Sequence, residues 1–192
     1  MAVPGRYRVR LTADGETQTR EFEIRPDPRL REVNPADLSQ RFELALRIRD
    51  EVSKATGAVV GIRALQREVQ DRMKQTDRRD LRAAGTALLA QLSGVEGEIY
   101  QVENRTVEDS KNHPMKLVNQ IGYLLSVVES AEARPTDQTR AVFDLLSSRL
   151  AAQLRRLDQV YRIELVRLND LLRRNRLQPV EAGHRTKEGA TP

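Results

Sequence analysis

The sequence predicts a mainly α-helical protein: an up-down four-helix bundle preceded by a β-hairpin. Three observations carry that reading. Apolar residues recur every three or four positions through most of residues 34–177. Residues 1–31 instead alternate with period two around an Asp-Gly pair. Charged residues make up 32% of the chain and aromatics 4%, with Leu, Ala, Arg and Glu abundant, a helix-forming composition.

The hairpin comes first. Arg6 to Thr12 alternates, Thr17 to Arg25 alternates again, and Asp14-Gly15 lies between them. A two-residue turn there sets Tyr7 opposite Phe22, Val9 opposite Arg20 and Leu11 opposite Gln18. The other face then pairs Arg8 with Glu21 and Arg6 with Glu23, so aromatics meet on one side and opposite charges on the other. A lone two-stranded hairpin is marginal in water. Its apolar face, Tyr7, Val9, Leu11, Phe22 and Ile24, therefore needs a partner surface and is a candidate interface. Either the helical part covers it, or the hairpin is the remnant of a larger β domain. The strand begins almost at the start of the chain, which favours the second reading.

Asn34-Pro35-Ala36-Asp37 opens the first helix: Asn caps, Pro occupies the first helical position and Asp suits the positive helix end. Its stripe runs Leu38, Phe42, Ala45, Ile48, Val52, Ala55, Val59, Ile62, Leu65, Val69 and Met73. Gly57 and Gly61 each cost about 1 kcal/mol against Ala and permit a bend. A second helix is expected over 80–102, with Leu81, Ala84, Leu88, Leu92, Val95 and Ile99 inward. Residues 103–114 form a polar connection, long for a bundle. The third helix begins near Met115 and turns Leu117, Ile121, Leu124, Leu125 and Val128 inward. Pro135 breaks the chain, Thr136 caps, and a fourth helix runs over 137–177. Its stripe is Val142, Leu146, Leu150, Leu154, Leu157, Tyr161, Leu165, Leu168 and Leu172. It extends beyond what the shorter third helix can cover, so a partner helix, a second copy or another domain is expected over the remainder. Residues 178–192 lack apolar content and read as a disordered tail.

Composition removes several classes of function. The 192 residues contain no run of about 18 apolar residues, so no membrane span is expected. Without Cys there is no disulfide, thiol nucleophile or thiolate metal site. The net charge is +5, from 28 Arg and 5 Lys interspersed with 28 acids. Such mixing reads as surface ion pairing rather than a nucleic-acid footprint. Met1 to Arg6 contains no apolar signal region, and the absence of Cys fits a reducing compartment without requiring one.

No constellation points to a chemistry. His113 and His184 lack metal-ligand spacing, and no phosphate loop or nucleophile elbow exists. Glu96, Glu98, Glu103, Glu108 and Asp109 read as solvated surface, since nothing holds two of them across a cleft. Asn104-Arg105-Thr106 is a glycosylation triplet that matters only in a eukaryotic secretory route. No catalytic residue, cofactor or metal is assigned. The last helix sets seven arginines (155, 156, 162, 167, 173, 174 and 176) against Asp158, Glu164 and Asp170. Arg167, Arg173, Arg174 and Arg176 are the candidate anion or partner contacts, with favourable placement at a helix C-terminus as the simpler account.

Three stretches carry a family resemblance. Pro4 to Leu11 through Asp14-Gly15 to Arg25-Pro26-Asp27-Pro28-Arg29 resembles the closing hairpin of the Ig-like β domain in bacterial sortilin-like β-propeller proteins. Met115 to Ile121 with Leu124 to Val128 resembles a helix in the region that follows. Ala133 to Gln138 with Val142, Phe143, Leu145, Leu146 and Ser147 is similar to the next helix start there. Those proteins carry BNR-type propeller repeats and are commonly labelled glycosyl hydrolases. The resemblance implies a C-terminal module of an exported bacterial protein whose propeller and catalytic carboxylates lie upstream, so no catalytic residue is carried over. The expected function is non-catalytic docking on a parent β-propeller, or homo-oligomerisation. The alternatives are a hydrolase fragment that contributes to an active site and an anion- or nucleic-acid-binding bundle acting through the Arg-rich helix.

Overall fold

The structure, a computed structural model, describes residues 2–103 and 111–182. Strands β1 (Gly5–Ala13) and β2 (Glu16–Ile24) pair antiparallel in the register the sequence predicts, Tyr7 facing Phe22 and Arg8 facing Glu21. Asp14 and Gly15 both have positive φ, 52° and 82°, as a primed hairpin turn requires. The Tyr7 and Phe22 rings stack with centroids 5.8 Å apart. The Tyr7 hydroxyl donates to the Val3 carbonyl at 2.6 Å, and Arg8 meets Glu21 at 3.3 Å.

The remainder is helical. α1 (Pro35–Lys74) starts with a full capping box: the Asn34 side chain accepts from the Asp37 N–H, and the Asp37 carboxylate accepts from the Asn34 N–H. Its 40 residues make a rod about 60 Å long. It runs without interruption through Gly57 and Gly61, because packing along the whole inner face outweighs their unfavourable propensity. Leu44 joins the predicted inner stripe, while Phe42, Val52 and Met73 lie at its margin. α2 (Arg79–Ile99) ends three residues before the expected limit, as Tyr100 is extended. α3 (Leu117–Glu129) and α4 (Asp137–Val160) follow, and Thr136 caps α4 by accepting from the Thr139 N–H. A π-helical turn (Tyr161–Leu165) joins α4 to α5 (Val166–Arg174), so the predicted fourth helix is one continuous rod with a wide turn inside it.

The packing order differs from the expected alternation. Along α2, Ser93 meets Gln66 and Glu96 meets Arg63, so the α1 partner moves back as α2 advances, while Arg41 near the start of α1 meets Val128 and Glu129 at the end of α3. α2 and α3 therefore both run antiparallel to α1 and share its length. α4 runs parallel to α1, since Arg140 meets Gln40 and Arg47 meets Asp144. The rod then continues through α5 to the end of α1, where Arg72 donates to the Gln178 carbonyl. The directions are up, down, down, up. α3 starts close to where α2 ends, since Gln101 after α2 bonds Pro114 before α3, so the two helices follow one another along α1. Buried Gln101 anchors the described part of the connection between them: its amide donates to the Pro114 carbonyl and its Oε1 accepts from the Glu103 N–H. Residues 104–110, with the glycosylation triplet's Asn104 and with Glu108 and Asp109, lie outside the described residues, as does His184.

The core is one continuous leucine-rich seam shared by all five helices. Two sequence expectations change here. Val142 is exposed and Phe143 takes its place inside, because the steps Phe143, Leu146, Leu150 hold the inner face better than repeated steps of four. Residues 178–182 are not a free tail. Val180 is only 2% exposed and packs in the core with Leu177 and Ala182 beside it. Residues 183–192 lie outside the described residues.

Candidate functional site

The hairpin face is open. Val9 is 52%, Leu11 68% and Phe22 48% exposed, while Tyr7 and Ile24 are half-buried. Among the described residues no helix packs on either strand. Among the described residues both outer strand edges lack a partner strand, since the sheet has two strands. The five candidate interface residues thus share one exposed surface with two free edges, the arrangement to which another strand or sheet adds.

The structure divides the four candidate arginines. Arg173 pairs with Asp170 at 3.0 Å. Arg176 occupies the left-handed position at the helix end, φ 58°, where its N–H donates to the Arg173 carbonyl and the next N–H, of Leu177, donates to the Leu172 carbonyl. That pair of bonds is a Schellman motif, so the placement of Arg176 is explained by the backbone turn. Arg167 and Arg174 do come together. They line a groove of about 670 Å³ between the start of α2 and the π turn with α5. Its walls are Ala83 and Ala87 from one side, Ile163 and Val166 from the other. The sequence reading missed those four. The available signal was that Ile163 and Val166 fall off the Leu165–Leu168–Leu172 stripe yet are apolar.

Other polar groups have structural roles. The Arg41 guanidinium donates to the Val128 and Glu129 carbonyls at 2.9 and 3.1 Å, capping α3 from inside. Glu96, expected on the surface, is buried and accepts from Arg63 at 2.6 Å, with the Arg63 guanidinium 4.9 Å from the Tyr100 ring centre. Tyr161 sits partly in the core, and burial raises its pKa above the ordinary phenol value.

A second hollow of about 410 Å³, near the start of α3, contains one carboxylate, Glu98. The carboxyls with displaced pKa values, Asp27, Asp71 and Asp80, all move downward, each chiefly through a hydrogen bond from Arg29, Lys74 or Arg78. Among the described residues no three metal-ligating side chains cluster, and no helix is long and apolar enough to cross a membrane. No protein-family model, curated protein or solved structure matches this chain.

Proposed function

We propose that this chain is a non-catalytic docking module: the helical rod carries a β-hairpin whose apolar face and free edges complete a partner β structure. The observation that supports this reading most is the hairpin face itself, exposed and unsupported by any described helix. The resemblance of residues 4–29 to the last hairpin of an Ig-like domain names the partner: the β domain of a sortilin-like β-propeller protein. The hydrolase-fragment reading gains no support from the grooves. Asp80 and Asp170 line the same groove, but each is held by an arginine, and Asp80 is more acidic than usual, the reverse of what a general acid needs.

Three measurements test the proposal. The reading frame immediately upstream of Met1 is expected to encode a propeller and the rest of a β domain; a promoter and start site there would overturn the sortilin-like assignment. Removal of residues 1–31 is expected to leave the thermal midpoint of the helices unchanged while abolishing association with the separately produced β domain. A lower midpoint would show that the hairpin is part of the helical fold and not a docking element. Light scattering distinguishes a homodimer built through the hairpin, which would overturn the heterologous partner.

A further inference from the structure

A second surface, independent of the hairpin, carries its own binding chemistry. The groove between α2 and the π turn with α5 has two unlike walls. Ala83 and Ala87 lie one helical turn apart on α2 and leave it low, so another backbone can approach closely. Ile163 and Val166 stand opposite, 62% and 50% exposed. Their position follows from the π turn. Val160 and Leu165 are both buried although five residues apart, and the wider turn that allows this leaves Ile163 facing outward between them.

The charge around the groove is one-sided once internal pairs are removed. Asp80 is bound by Arg78 at 3.1 Å and Asp170 by Arg173 at 3.0 Å. Arg167 and Arg174 form no ion pair among the described residues. They are seven residues apart on one helix, so they project from the same face about two turns, or about 10 Å, apart. From Ile163 to Arg174 the trough extends along α5 for about 16 Å, roughly three turns of a docked helix.

We infer that this groove is the docking site for an amphipathic helix of a partner protein, whose apolar stripe seats on Ala83, Ala87, Ile163 and Val166 and whose flanking carboxylates meet Arg167 and Arg174. Arginine suits the task because its planar fork binds a carboxylate through two parallel hydrogen bonds while its stem covers apolar surface. Apolar contacts supply affinity, and the two guanidiniums select acidic helices and set their register.

The test uses the full chain and two labelled helical peptides of about four turns, identical in a Leu stripe at helical spacing but flanked by Glu in one and by Lys in the other. Fluorescence anisotropy is expected to show the Glu peptide binding at least about tenfold more tightly than the Lys peptide. Ile163→Asp, at an exposed position that the fold does not need, weakens the Glu peptide at least about tenfold. The double variant Arg167→Glu/Arg174→Glu reverses the preference toward the Lys peptide. Val60→Asp, on exposed α1 surface, and Phe22→Glu, on the hairpin, leave binding unchanged, which separates this site from the proposed hairpin interface. Equal affinity for both peptides, or binding indifferent to Ile163→Asp, overturns the proposal. Light scattering that shows a dimer dispersed by Ile163→Asp also overturns it, by assigning the groove to a second copy of the chain.

Discussion

Asn169 and Val180 exchange two hydrogen bonds: the Asn169 amide donates to the Val180 carbonyl at 2.9 Å, and the Val180 N–H donates to the Asn169 carbonyl oxygen at 2.8 Å. A side-chain amide here does what a neighbouring β-strand would do, satisfying both backbone groups of a buried residue. The Glu181 N–H is met by the Glu68 carboxylate at 3.1 Å and the Gln178 carbonyl by Arg72 at 2.9 Å. Residues 178–181 thus close the open end of the core between α1 and α5.

Asn169→Ala removes both partners of Val180 at once. The expected loss is about 1–3 kcal/mol in urea unfolding, the usual cost of leaving buried polar groups unsatisfied. The Val180 amide is expected to exchange with solvent about 5- to 150-fold faster, the same free energy written as a ratio. Unchanged protection of that amide would show that apolar packing alone holds the strap.

Arg176→Gly is expected to stabilise the protein by up to about 1 kcal/mol. Arg176 holds the left-handed conformation at the end of α5, which disfavours a residue with a Cβ and which glycine adopts freely. A thermal melt of the single variant checks the sign, since Arg176 makes no ion pair among the described residues whose loss would offset the gain.

Arg63→Met leaves the Glu96 carboxylate buried without its partner. The expected cost is about 1–3 kcal/mol, below that of a fully buried pair because Arg63 is half exposed and partly screened. The double variant Arg63→Met/Glu96→Leu is expected to recover most of the loss, as an apolar pair of similar volume needs no desolvated charge. A double-mutant cycle in denaturant reads the difference.

The Asp27 carboxyl is held at a pKa of about 2 by the Arg29 side chain, which bonds both of its oxygens, and by the Arg29 N–H. The folded value lies below the unfolded one. Its contribution to stability is therefore present above pH about 4 and is lost as pH falls toward 2. Carbon-detected NMR titration is expected to show this carboxyl ionised well below the others, and Arg29→Ala is expected to return it to the ordinary aspartate range.

Much of this architecture was legible from local sequence. The hairpin register followed from Asp14-Gly15 and period-two alternation, because a two-residue turn leaves one choice of partners. The α1 start followed from Asn34-Pro35-Ala36-Asp37, whose capping bonds are made within four residues. The Arg-rich end of the last helix was visible too. Which arginines border a groove was not, because that depends on Ala83 and Ala87 of α2 lying beside Arg167 and Arg174, some eighty residues away in the chain. Ile163 and Val166 were passed over because a steady α-helical period places them on the outside and says nothing of the alanine trough facing them.

The sequence by itself determined the element types, their order, the hairpin pairing and the helix caps, all governed by contacts a few residues apart. Only the tertiary structure decided that α2 and α3 run in the same direction along α1, that Phe143 replaces Val142 inside, that a π turn carries Val160 and Leu165 to one face, and that Val180 closes the core. Each of those depends on space filled by residues distant in the chain. The energy that selects among such arrangements, close packing of apolar side chains and satisfaction of buried polar groups, has no local signature.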